Sequence, residues 1–236
     1  MPINSTTNQH VKEIRKLGRA SARAKSGHFV AEGEDLYDAA CAAERVPLYV
    51  LCAPGLAEGR KDWHEASSDI LGKVSQLGSG TRVIAVFEQH WEAPRGPLAV
   101  ALWGIHDPGN VGTIIRSAHS FGGACVAIGP DTADPHGPKA VRASMGAIFT
   151  TRVARFSSID ELPRPVIALV PGAERRLLGP ISEGTRLLGG ERAGVPAEVR
   201  AAVDDERAIR QASGDSLNAA MAATVALYEA TRMAAP

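Results

Sequence analysis

Three cysteines in 236 residues, widely spaced at Cys41, Cys52 and Cys125 and forming no CxxC, exclude a disulfide framework and a cysteine zinc site. The seven histidines show neither HExxH nor any paired ligand spacing, so each reads as a surface or hydrogen-bonded residue and no metal is expected. No apolar run approaches the roughly 18 residues that a membrane span needs, and the opening MPINSTTNQH lacks a hydrophobic signal region. A soluble, cytoplasmic chain in a reducing compartment is therefore expected, away from any membrane. Net charge is also lacking. Because 26 basic residues balance 26 acidic ones, composition alone carries no nucleic-acid signal. A conventional nucleotide fingerprint is missing as well: Gly189 to Gly194 (GGERAG) has neither the G-x-G-x-x-G spacing nor a following Lys-Ser/Thr, and its glutamate would repel phosphate.

What remains is ample for folding, since 44% of the residues are hydrophobic, enough for one large or two modest domains. Charge is unevenly spread. Residues 1–30 carry Lys12, Arg15, Lys16, Arg19, Arg23 and Lys25 against Glu13 alone, a basic arm that suits RNA or is simply a solvated face. Residues 8–25 read as a polar helix with Val11, Ile14 and Leu17 as its apolar stripe. Strands are expected at 28–32, 47–52 and 81–88, a helix from Gly33 to about Glu44, and a segment at 62–77 that starts helical. Gln89 to Pro97 (QHWEAPRGP) reads as a linker, which places a domain boundary near Ala93 and divides the chain into residues 1–92 and 93–236. Beyond it, strands at 98–105, 124–129, 166–170 and 186–189 alternate with helices at 110–121, 139–146 and 216–231. That alternation predicts an α/β fold, a mainly parallel sheet with helices on both faces.

The stretch from Asp107 to Gly123 (DPGNVGTIIRSAHSFGG) joins a turn, a helix and a charged residue directly after an apolar strand. Asn110 is read as the helix N-cap, its side-chain oxygen accepting a first-turn N–H. Val111, Ile114, Ile115, Ala118 and Phe121 form the apolar stripe, and Gly122-Gly123 the stop. Helical side chains lean toward their N-terminus, so Arg116 can reach back toward the turn that holds Asn110. Two readings stand on spacing alone: a plain strand-turn-helix unit with a solvated arginine, or a site where an amide and a fixed cation converge.

The pattern Asn110-x-Gly112-x-x-x-Arg116-x-Ala118-x-x-Phe121-Gly122, with Asp107-Pro108-Gly109 ahead of it, resembles the first motif of the SpoU/TrmH branch of the SPOUT RNA methyltransferases. Leu188-Gly189-Gly190-Glu191-Arg192-Ala193-Gly194-Val195 resembles the second, and Ser216-Leu217-Asn218 before the last helix resembles the third. The first 90 residues are similar, more loosely, to the small RNA-binding module found ahead of such catalytic domains. This resemblance implies a C-terminal trefoil knot, against the usual rule that chains are unknotted, and S-adenosylmethionine as cofactor, touched by Gly189, Ile209 and Leu217. The reaction implied is methyl transfer to a ribose 2′-hydroxyl of structured RNA, ribosomal RNA favoured over transfer RNA; a non-catalytic RNA-binding protein on the same fold is the alternative. Catalytic roles fall on Asn110, Arg116, Glu191, Ser216 and Asn218. Arg116 is expected to grip phosphate and stabilise alkoxide, because a guanidinium of pKa above about 12 is a poor base; Glu191 is expected to fix Arg116 or the ribose, and Asp215 or Ser216 to cap the last helix. Lys12, Arg15, Lys139 and Arg142 are the expected RNA contacts. The third motif departs from the family pattern in reading IRQASGDSLN, with Arg210-Gln211 where Pro-Met is usual, one residue fewer, and Ala219-Ala220 after Asn218. A homodimer is expected through the last helix, where Leu217, Met221, Val225 and Tyr228 make one stripe and alanines elsewhere admit a second backbone.

Overall fold

The computed structural model describes residues 2–232 apart from 79, 179–181, 192 and 215. The first ninety residues form α1 (Gln9–Leu17), α2 (Ala20–Ser26), β1 (His28–Glu32), α3 (Glu34–Ala42), β2 (Tyr49–Cys52), β3 (Trp63–Glu65), α4 (Ser68–Val74) and β4 (Val83–Glu88). Their sheet runs β1-β4-β2-β3, with β4 antiparallel to both neighbours and β3 parallel to β2. Strand alternation sorts its side chains onto two faces. Val30, Leu51, Ile84 and Val86 pack under Val11, Ile14 and Leu17 of α1 and Ile70, Leu71 and Val74 of α4. Phe29, Ala31, Val50, Ala85 and Phe87 face the other way.

Two local expectations change here. The basic helix expected over 8–25 is broken at Gly18, which ends α1, while Asn8 caps its start by accepting from the His10 N–H at 2.9 Å. Between 62 and 77 a strand precedes the helix. Ser67 caps α4 by accepting from the Ile70 N–H, so the helix cannot begin earlier, and Trp63–Glu65 pairs with Val50–Cys52 instead.

The rest of the chain supplies β5 (Leu98–Trp103), α5 (Pro108–Ser120), β6 (Cys125–Ile128), α6 (Pro138–Ser144), β7 (Val153–Arg155), β8 (Val166–Leu169), β9 (Gly184–Gly189), α7 (Ala197–Arg200), β10 (Asp205–Arg207) and α8 (Ala219–Thr231). Their sheet, in the order β10-β8-β9-β5-β6-β7, is parallel at every pairing. Parallel strands are covered on both sides. Val100, Leu102, Val126 and Leu188 meet α5 and α8, whereas Ala99, Ala101, Ala127 and Leu187 meet Phe156, Ile159, Leu162 and Val199. The short edge strands β7 and β10, three residues each, carried no pattern long enough to read from sequence.

The two sheets share one hydrophobic cluster. The rings of Phe87 and Phe149 lie 4.9 Å apart and those of Phe29 and Phe149 6.0 Å apart, joining the inner face of β1 and β4 to the segment after α6. Two ion pairs reinforce the junction. Arg142 of α6 grips Asp35 of α3 through two bonds of 2.8 and 2.6 Å, and Arg23 of α2 donates to Asp134 at 2.8 Å. Arg23, counted with the basic arm, is in fact buried and also donates to the Leu17 carbonyl at 2.8 Å, so it has no surface to offer RNA.

Candidate functional site

β5 delivers the chain to the turn at Asp107, and the capping of α5 differs from expectation. Asp107 is the N-cap: its carboxylate accepts from the Asn110 N–H at 2.8 Å, and Pro108 occupies the first helical position. Asp caps as well as Asn does, and proline there supplies its fixed φ without losing a needed N–H. Asn110 is thereby left inside the first turn with its carboxamide free. Gly112, one turn into the helix, is required by packing, because a Cβ there would run into the Ala140 carbonyl oxygen and come within 2.7 Å of the Ala143 Cβ. α5 and α6 can approach closely only without it.

The freed amide meets two groups brought from far along the chain. Glu191, just past β9, accepts through Oε1 from Asn110 Nδ2 at 2.6 Å and from Asn218 Nδ2 at 3.1 Å. Asn218 Nδ2 also donates to Asn110 Oδ1 at 3.0 Å. Asn218 itself caps α8, its Oδ1 accepting from the N–H groups of Ala220 and Met221 at 2.9 and 3.3 Å. One side chain therefore both starts a helix and closes the cluster. Ser216 is not the cap; it lies exposed ahead of it, and Asp215 lies outside the described residues.

Arg116 does not join the cluster. It is exposed on α5, and its guanidinium makes no ion pair or hydrogen bond among the described residues. Of the two roles expected for Glu191, the contact with Arg116 is not made, and its Oε1 accepts from the two amides instead.

Beside the cluster lies a cleft at the C-terminal ends of β8 and β9, the edge where open parallel sheets bind ligands. Leu169, Val170, Gly189, Ile209, Ser216 and Leu217 line it, with Glu191 the one ionisable side chain among the described lining residues. Gly189, Ile209 and Leu217, expected to touch the cofactor, thus line one cleft. Two of its glycines are required by the chain's own packing. A Cβ on Gly189 would strike the backbone of Gly194 and Val195, and one on Gly190 the carbonyl of Gly104, so both permit the chain to turn tightly on itself. Leu169, Val170 and Pro171 were not found from sequence; the hydrophobic run of β8 signalled a strand but not what its end faces.

The expected RNA contacts divide. Lys12 and Arg15 are exposed on the outer face of α1 beside Lys16 and Arg19, and Lys139 is exposed near the start of α6. Arg142 is committed to Asp35, whose carboxyl its guanidinium holds below the usual range, and so serves the junction between the sheets.

The cleft suits the expected cofactor. Its walls are largely apolar side chains and glycine backbone, with Gln211 and Ser216 as polar groups, and its carboxylate would complement a sulfonium.

A family model described as the SpoU rRNA Methylase family matches residues 97–228. The chain is similar to a 23S rRNA (guanosine(2553)-2′-O)-methyltransferase of Bacillus subtilis, 29% identical over 96% of this chain and 97% of that protein. In structure it resembles an AdoMet-bound rRNA methyltransferase from Sinorhizobium meliloti, with a TM-score of 0.87 and 28% identity over 100% of this chain and 99% of that one. It also resembles an RNA 2′-O ribose methyltransferase, with a TM-score of 0.79 and 26% identity over 99% of each chain.

Proposed function

Because the chain belongs to the SpoU rRNA methylase family, we propose that it transfers the methyl group of S-adenosylmethionine to a ribose 2′-hydroxyl of ribosomal RNA. The observation that carries this reading is the meeting of Asn110, Glu191 and Asn218, from three separate segments, at the rim of an apolar cleft. Ribosomal RNA is favoured because two of the relatives matched over nearly the whole chain, the Bacillus subtilis protein and the Sinorhizobium meliloti structure, bear rRNA names.

The cofactor supplies an electrophilic methyl group on a sulfonium. Leu169, Ile209 and Leu217 would hold its adenosine part against the backbone at Gly189, and Glu191 would offset its positive charge. Asn110 and Asn218, locked to one another and to Glu191, present fixed dipoles that orient the ribose hydroxyl for in-line attack. Ser216 completes that rim. Arg116, with no hydrogen-bond or ion-pair partner among the described residues, grips the phosphate beside the target ribose and stabilises the developing alkoxide.

Residues 1–92 then act as the substrate-reading unit and residues 93–236 as the methyltransferase unit. The trefoil knot implied by the resemblance is supported by the return of α8 to pack on β9 and α5 after β10. A homodimer is supported by the outer face of α8, where Met221 and Tyr228 are 56% and 53% exposed beside Leu217 and Val225. Of the alanines expected to admit a partner, Ala219, Ala220, Ala223 and Ala226 are buried within this chain while Ala222 is half-buried, so the large side chains would make most of the contact. A ribosomal substrate would place the work in the cytoplasm.

The test is to titrate S-adenosylmethionine into the purified protein, then incubate both with ribosomal RNA and map 2′-O-methyl groups. Cofactor binding with a new methylated ribose is expected. Binding of RNA without cofactor affinity would favour the non-catalytic alternative, and methylation of transfer RNA alone would move the substrate.

A further inference from the structure

The surface between the two sheets holds a groove that the cluster around Asn110 does not use. On one side it is lined by Gly18 and Ala20 at the α1–α2 turn and by Gln76 after α4; on the other by His106, Pro108 and Lys139. Pro108 is the first residue of α5, two positions before Asn110. Next to Gly18 and Ala20 along the chain, Lys12, Arg15, Lys16 and Arg19 border a hollow of their own on α1 and the turn after it. Spacings of three and four residues set Lys12, Arg15 and Lys16 on one face of α1, and Arg19 follows in the turn after it.

Their freedom from internal partners distinguishes them. Elsewhere the surface arginines are largely paired: Arg82 with Glu34, Arg152 with Glu92, Arg164 with Asp160 and Asp204, Arg200 with Glu206. Lys12, Arg15, Lys16, Arg19 and Lys139 form no ion pair among the described residues. Of the nearby acids, Asp134 is neutralised by the buried Arg23, and Asp107 turns its carboxylate inward to cap α5. The groove is thus a cationic path whose own carboxylates are already engaged.

We propose that this groove is the path of the RNA strand, with the phosphate backbone running from the α1 cations past Arg19 and Lys139 to His106 and on to the ribose presented at Asn110. The inference rests on the methyltransferase reading and deepens it. Phosphate contacts set the register of a bound strand without reading its bases, so the distance from α1 to Asn110 would fix which ribose enters the site. The charge that the overall composition lacks is supplied locally, where the strand must pass.

The experiment compares RNA binding and methyl transfer for the full-length protein and for Lys139→Ala, His106→Ala and the pair Lys12→Ala/Arg15→Ala. Lys61→Ala, an exposed cation outside the groove, is the control. Each substituted side chain is exposed, so folded protein is expected throughout. Each lysine or arginine lost should weaken RNA binding roughly three- to tenfold and reduce the slope of log affinity against log salt by about 0.7. Methyl transfer at RNA concentrations below saturation should fall in step with the affinity, and Lys61→Ala should match the unaltered protein. If the unaltered protein methylates RNA but the groove variants keep its salt slope, or lose no more than Lys61→Ala, the path is wrong while the activity stands. If the unaltered protein methylates no RNA, the functional reading itself falls.

Discussion

Asn218 carries two duties that a pair of substitutions can separate. Asn218→Ala removes the cap of α8, worth about 1 kcal/mol, together with the donors to Glu191 and Asn110. Asn218→Asp keeps the cap, since Asp and Asn serve equally there. It replaces an N–H donor 3.1 Å from Glu191 Oε1 with a second carboxylate. A hydrogen bond to a charged group contributes about 1.5–3 kcal/mol, and two like charges at such a distance on a water-exposed rim repel by about 1 kcal/mol more. Both variants should lose most methyl transfer, and at neutral pH Asn218→Asp should be destabilised by roughly 2 kcal/mol despite its intact cap. Their responses to acid should differ. In Asn218→Asp the folded pair holds a proton more tightly than the unfolded chain does, so its deficit shrinks as pH falls toward about 4. The Asn218→Ala deficit should change much less over that range, because its lost helix cap does not titrate. Urea unfolding at neutral and acidic pH, with methyl transfer measured alongside, decides the matter. Parallel pH dependence of the two variants, or unaltered turnover in Asn218→Asp, would refute the assigned cluster.

Arg116→Lys should fold with stability within about 0.5 kcal/mol of the parent, since the side chain is exposed and makes no hydrogen bond or ion pair among the described residues; methyl transfer should fall at least tenfold, and unaltered turnover would remove Arg116 from the mechanism. Arg142→Ala should leave RNA affinity unchanged and cost roughly 0.5–1 kcal/mol, the range for a partly exposed ion pair. Because Arg142 holds the Asp35 carboxyl below its usual range, that contribution is full above about pH 4 and is lost as pH falls through the lower folded value; unfolding curves that stay separated in strong acid would contradict it. Buried His136 has its pKa pushed down to about 4, chiefly by burial, so stability should fall as pH drops from about 6.5 toward that value. His136→Gln should flatten that slope in urea unfolding, and an unchanged slope would assign it elsewhere. Met221→Arg should give folded monomers by light scattering, whereas Ala226→Arg, at a position with no exposure, should give little soluble protein. A Met221→Arg variant still dimeric would move the contact off α8.

Much of the architecture was legible in the residues themselves. Apolar runs and Gly/Pro punctuation marked β5, β6, β8 and α5, and their alternation led to the parallel sheet, because burial on two faces leaves the strands almost wholly apolar. The resemblance of three short motifs to a known family pointed to Asn110, Glu191 and Asn218, which the structure brings together. Local spacing could not say which of two equally good caps would win. Asp107 and Asn110 both suit the start of α5, and Ser216 and Asn218 both precede α8; the chosen pair is the one that releases Asn110 to reach Glu191, 81 residues away. Nor could charge patterning tell a free cation from a committed one. Arg23 and Arg142 resemble Arg19 and Lys139 along the chain, and only packing the two sheets together brings Asp134 and Asp35 against the first two, leaving the others open to water. Pairing of that kind depends on distance through space, over 111 and 107 residues of intervening chain, and no local pattern encodes it.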